Sequence, residues 1–114
     1  TITGSYVRSK SEEMIHMVLY KTKIPFRYEC GLKLDDFTYY PDFTIRHPKT
    51  GETYYWEHFG KMDDADYSKN VFSKLQHYTS HGIVPTIQLI TTYETKNNPF
   101  TINNAEKIVN DYFL

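Results

Sequence analysis

The turn signal Pro48-Lys49-Thr50-Gly51 divides two segments rich in β-branched and aromatic residues, 38–46 and Thr53–Phe59, and together they read as a β-hairpin. A hairpin's loop sets its register, and the register decides which face each side chain takes. With the loop symmetric about Lys49-Thr50, Phe43 opposes Trp56 and Ile45 opposes Tyr54 on one face. Such a row of aromatic and β-branched pairs suits a buried sheet surface. On the other face Thr44 opposes Tyr55 and Asp42 opposes Glu57, which brings two carboxylates to about 5 Å of each other. Like charges directly opposed destabilise a sheet, by up to about 1 kcal/mol. A divalent cation would offset this, because Mg2+ accepts carboxylate oxygens at about 2.1 Å and keeps waters in its other positions. Two other arrangements stay open: both acids exposed to water, or a bulge at Gly51 that leaves them diagonal neighbours, still within bridging range.

Around the hairpin the pattern predicts a helix over residues 9–21, where Ser9 and Glu12 have capping-box spacing and Ile15, Val18 and Leu19 form an apolar stripe. Ile24-Pro25 ends it. A strand is expected over 26–34 with a turn at Asp35-Asp36. A second helix starts near Asp63-Asp64 and runs to His81, where Gly82 supplies the stop. An apolar strand is expected over 83–91 and a closing helix over Ile102–Phe113. The order α-β-β-β-α-β-α implies an α/β domain with a mixed sheet flanked by helices.

At 114 residues the chain is the size of a single domain, 1–114, with one modest core. It begins at Thr1, which fits either a domain excised from a longer protein or a processed product. No apolar run approaches a membrane span and no signal-peptide pattern opens the chain, so no membrane partner is expected. Cys30 is the only cysteine, which fits a reducing, cytoplasmic setting. The net charge of −1 advertises no overall basic field. Residues 1–33 nevertheless carry six Lys or Arg (Arg8, Lys10, Lys21, Lys23, Arg27, Lys33) against three acids, either a basic groove or solvated helix and strand edges.

Two charged residues fall inside apolar stripes. Lys74 lies three after Val71 and four before Tyr78 on the second helix, within the stripe Tyr67, Val71, Leu75, Tyr78. Burying a Lys costs several kcal/mol unless it is paired; the bland account is a stem that covers apolar surface while its ammonium reaches water. Glu12 lies on the core-facing side of the first helix, where capping alone would account for it. His58 should point away from Glu57 in a regular strand, as a core histidine would. His77 and His81 have a helical spacing compatible with zinc, but no third ligand follows at a recognised interval.

Tyr40-Pro41-Asp42-Phe43, the following strand acid Glu57 and the helix acid in Arg8-Ser9-Lys10-Ser11-Glu12 resemble the motifs of the PD-(D/E)XK nuclease superfamily. The likeness runs from Arg8 to about Glu94 and extends to uncharacterised bacterial and phage domains sharing the Glu-His-Phe-Gly block. It implies a restriction-endonuclease-like α-β-β-β-α-β core and a Mg2+- or Mn2+-dependent nuclease acting on nucleic acid, DNA in the first instance and RNA as the other choice. By that resemblance Asp42, Glu57 and the backbone carbonyl of His58 bind the metal. Glu12 binds a second ion or orients a water. One departure matters: Phe59 stands where the family carries Lys two residues after the second acid. In some branches that Lys migrates to the next helix, and in others the helix carries Gln-x-x-x-Tyr. Lys74-Leu75-Gln76-His77-Tyr78 is similar, so Lys74 is expected to contact the hydroxide or phosphate and Tyr78 to hold Lys74 or stack on substrate. Lys61 is the second candidate for the lysine. Many restriction-type members cut as dimers, so the resemblance also admits a homodimer. The displaced Lys leaves a different reading open, a degenerate nuclease fold that binds nucleic acid or a protein without cutting.

Overall fold

The computed structural model describes residues 9–114; Arg8, part of the first motif, lies outside the described residues. Helix α1 spans Lys10–Lys21, with the Ser9 side chain accepting the Glu12 N–H at 3.1 Å. Its exit is a Schellman turn: the Ile24 and Lys23 N–H groups donate to the Leu19 and Tyr20 carbonyls, and Lys23 takes the left-handed conformation at φ 61°. Helix α2 spans Ala65–Ser80 and is capped by Asp64, whose carboxylate accepts the Asp66 and Tyr67 N–H groups. It ends in the same motif, with Gly82 at φ 80° and the Ile83 N–H on the Tyr78 carbonyl. Helix α3, Ile102–Phe113, opens with a Thr101–Asn104 capping box.

Strands β1 (Phe26–Tyr28), β4 (Phe43–Arg46), β5 (Thr53–Phe59) and β6 (Leu89–Tyr93) form one sheet in that order. β1, β4 and β5 run antiparallel. β6 is parallel to β5, as the α2 crossover between them requires. Among the described residues the fold is thus a small α/β structure with a mixed sheet and three helices. The hairpin register is the one its loop symmetry predicts: Phe43 opposes Trp56, Thr44 opposes Tyr55 and Ile45 opposes Tyr54. The loop closes through the His47 N–H on the Glu52 carbonyl at 2.8 Å, and Gly51 takes φ 75°, which favours glycine.

Three expected strands are shorter than the sequence pattern suggests. Residues 26–34 break at Glu29, which has φ 51°, so β2 (Leu32–Leu34) leaves the main sheet and pairs with β3 (Phe37–Tyr39) as a separate small hairpin. Residues 38–46 break at Tyr40-Pro41, where proline has no N–H to continue a ladder. Residues 83–88 form a loop, with Thr86 at φ 71° and the Gln88 side chain bridging the Val84 N–H and the Gly82 carbonyl. Strand β6 therefore begins only at Leu89.

The sheet separates two apolar clusters. Against one face, α1 and α3 supply Ile15, Leu19, Ala105, Val109 and Phe113 to a core with Phe43, Ile45, Trp56 and Ile90. Trp56 is fully buried, and its indole N–H donates to the Thr92 hydroxyl at 3.0 Å. Against the other face, Tyr78 and Leu75 of α2 pack with Leu89, Tyr55 and the β2–β3 hairpin residues Leu34 and Tyr39. Asp42 and Glu57 belong to this second face. Among the described residues, no helix is long and apolar enough to cross a membrane.

Candidate active site

Strand alternation fixes how the acid cluster is assembled. Because Phe43 and Trp56 enter the α1–α3 core, their neighbours Asp42 and Glu57 must project toward α2. Glu57 is 2% exposed. It is held by two groups from successive turns of α2: the Lys74 ammonium lies 2.6 Å from its Oε2, and the Tyr78 hydroxyl donates to the same oxygen at 2.7 Å. Lys74 interrupts the apolar stripe because its charge is partnered there, and its ammonium also lies 5.8 Å from the Tyr39 ring centre and 6.0 Å from that of Tyr78. Burial, followed by the Glu57 charge, pushes the Tyr78 hydroxyl up, so it stays a protonated donor.

Asp42 accepts the backbone N–H of His58 at 2.7 Å, which ties the end of β4 to β5 beyond the last paired residues. Its carboxyl is pushed up to about 8, first by burial and then by the Glu57 charge; the His58 N–H opposes this, Glu12 adds to it and Lys74 partly relieves it. The two hairpin acids and the helix acid thus share one electrostatic neighbourhood. Glu12 is half-buried, and its carboxylate accepts the hydroxyl of Tyr28 in β1. The expected capping box is thus only half present: Ser9 accepts the Glu12 N–H, while the Glu12 carboxylate is turned to Tyr28.

The His58 ring points to the opposite side of the strand, as alternation requires. Its two nitrogens meet the Thr92 hydroxyl at 2.8 Å and the Glu94 carboxylate at 2.7 Å. Glu94 also accepts the Ser11 hydroxyl and the Phe100 N–H. Although burial opposes it, these bonds hold the Glu94 carboxyl below its ordinary range. Glu94 thereby pins the first turn of α1, one residue before Glu12, to β5. The sequence reading missed Glu94 and Ser11, whose meeting depends on the parallel β5–β6 pairing, and Tyr28, whose place beside Phe43 depends on the β1–β4 register.

A cleft of about 350 Å3 is lined by Ser11, Glu12, His58, Gly60, Lys61, Tyr67 and Glu94 among others, and Glu12 is the acid of the cluster that reaches it. Lys61 sits on its wall, whereas Lys74 is the lysine in contact with a carboxylate of the cluster. His77 and His81 serve the β2–β3 hairpin: His77 meets the Tyr39 hydroxyl at 2.7 Å and His81 meets Asp35 at 2.6 Å.

The donor set offers the carboxylate oxygens a hard divalent cation takes, and burial, followed by the Glu57 charge, keeps a proton on Asp42 up to about 8. Among the described residues, however, no three His, Cys, Asp or Glu groups already stand in a metal-holding arrangement; at Glu57 the cation present is the Lys74 ammonium. Fold and cluster together define an α/β domain with a buried acid–lysine centre at the end of its hairpin. No protein-family model matches the chain, and no curated protein matches it.

Proposed function

We propose that this domain is a Mg2+- or Mn2+-dependent nuclease that hydrolyses DNA phosphodiester bonds, with a restriction-endonuclease-like core and a cytoplasmic setting. The observation that carries the reading is the convergence of Glu12 from α1, Asp42 from β4, Glu57 from β5 and Lys74 from α2 on one neighbourhood, where their charges act on Asp42. A structural ion pair would need one acid for one lysine; this cluster holds three acids, and Asp42 is left with a carboxyl that binds a proton into the neutral range.

Asp42 and Glu57 would hold the ion, with the His58 carbonyl as a further ligand by the family resemblance and Glu12 at a second ion or a water. Bound there, the ion would lower the pKa of its water and neutralise charge growing on the phosphate. The chain's own groups have separate tasks. Tyr78 fixes the Glu57 carboxylate by donating to one oxygen, and the His58 N–H fixes Asp42. Tyr28 and Glu94 hold Glu12 and its helix turn in place. Lys74, 28% exposed along its side chain, supplies the positive charge nearest the acids and faces an approaching phosphate or hydroxide once it leaves Glu57.

One observation favours the degenerate binding domain as the second reading. With Phe59 in the usual lysine position, the lysine that does reach the acids is engaged by Glu57. Purified protein incubated with single- and double-stranded DNA and Mg2+ or Mn2+ separates the two. The nuclease reading expects cleavage that falls at least about 100-fold in Asp42→Ala and in Glu57→Ala, with thermal melts that stay cooperative. Full metal-dependent cleavage by both variants would contradict it, and DNA binding with no cleavage by the unaltered protein would favour the binding domain.

A further inference from the structure

We propose that the Tyr67 hydroxyl is an additional catalytic group of this centre, donating a hydrogen bond to a non-bridging oxygen of the phosphate being cleaved; this rests on the nuclease reading above. Tyr67 stands in the first turn of α2, and its ring lines the same cleft as Glu12, Gly60 and Lys61. Its oxygen accepts the Gly60 N–H at 3.2 Å. Among the described residues this is the only hydrogen bond the side chain makes, so its position is fixed while its own proton is uncommitted. The ring is half-buried; burial, together with the charges of Asp42, Glu57 and Glu12, pushes its pKa up despite the Gly60 N–H. The group is therefore an O–H donor through the neutral range, on a cleft that Glu12 lines and within reach of the Asp42 and Glu57 charges.

The two donors in contact with Glu57 are already engaged. The Lys74 ammonium and the Tyr78 hydroxyl both contact Glu57 Oε2, and Phe59 carries no polar atom. A phosphate entering the cleft needs a donor for an anionic oxygen that does not neutralise the acids themselves, and a fixed phenol meets that need. Lys10 and Lys61, which also line the cleft, have no ion-pair partner among the described residues and present positive charge to a polyanionic strand.

The test compares Tyr67→Phe with the unaltered protein and with Asp42→Ala, reading kcat and KM for DNA cleavage, Mn2+ affinity by calorimetry and the thermal melt. A hydrogen bond to a charged group predicts a fall in kcat of about 10- to 100-fold in Tyr67→Phe, with Mn2+ affinity unchanged within about twofold. Wild-type kcat in Tyr67→Phe while Asp42→Ala is inactive overturns the role of Tyr67 and leaves the nuclease reading standing. Cleavage by Asp42→Ala equal to wild type removes the nuclease reading, and Tyr67's role with it. Where Tyr67→Phe melts non-cooperatively, a fluorinated tyrosine at position 67, with a more acidic phenol of nearly the same shape, replaces it. Activity should then fall as pH rises through the lowered phenol pKa, and a pH profile identical to that of the unaltered protein overturns the proposal.

Discussion

Glu57 shows how far one residue's chemistry depends on its partners. A carboxylate only 2% exposed is costly unless paired, and here Lys74 and Tyr78 meet at a single oxygen. Lys74→Met leaves that charge with the tyrosine alone and should destabilise the metal-free protein by roughly 2–4 kcal/mol in urea unfolding. Adding Glu57→Gln should recover at least half of the loss, because the charge that needed a partner is gone. Asp42 carries the pH dependence. Its folded carboxyl titrates at about 8, against about 4 for an unfolded aspartate. Between those values the folded protein holds a proton that the unfolded chain has released. The stability of the metal-free protein should therefore fall as pH rises from about 4 to about 8 and level off above. Urea midpoints across that range would show it, and Asp42→Asn should flatten the curve. Both residues were legible from the hairpin register and the Pro-Asp motif, and Lys74 from its misfit in an apolar stripe. Tyr67 was legible only as a member of that stripe, since its bond to Gly60 and its place beside Glu12 depend on tertiary packing.

The elements divide by how local their determinants are. All three described helices begin at side-chain caps, and α1 and α2 end in Schellman turns, within a residue or two of the sequence expectation. Such signals act over a few residues and are readable in one dimension. The strands differ. Residues 26–34 and 38–46 have continuous strand-like composition, yet each is split between two sheets. The breaks come from a left-handed Glu29 and from the chain's path at Pro41, and neither disturbs the alternation pattern. Lys23 gives an element-scale prediction. It occupies the Schellman position that favours glycine, at φ 61°, where a side chain costs about 1 kcal/mol. Lys23→Gly should raise stability by about 0.5–1 kcal/mol, after allowing for the freer unfolded chain. No gain in the urea midpoint would mean that the Lys23 side chain makes a compensating contact.

At the scale of the whole molecule, the sheet does the sorting. One face meets α1 and α3 in an apolar core; the other meets α2 and carries Asp42 and Glu57, with Glu12 reaching the cluster from the first turn of α1. Packing on the first face therefore supports the geometry of the second, and Glu94 ties α1 to β5 on that first face by binding both Ser11 and His58. The helices, the hairpin and the α2 crossover to a parallel strand were readable from periodicity and turns, whereas the small β2–β3 hairpin was not. The protonation of the acids and the occupation of Glu57 by Lys74 were not readable either, because both follow from distances that only the folded chain sets. The central claim is that this cluster is built for a divalent ion, and calorimetric titration of the purified protein with Mn2+ tests it most directly. Saturable binding that weakens at least about tenfold in both Asp42→Ala and Glu57→Ala, with the fold retained, is the predicted result. Mn2+ binding equal in all three proteins, or none in any of them, would contradict it.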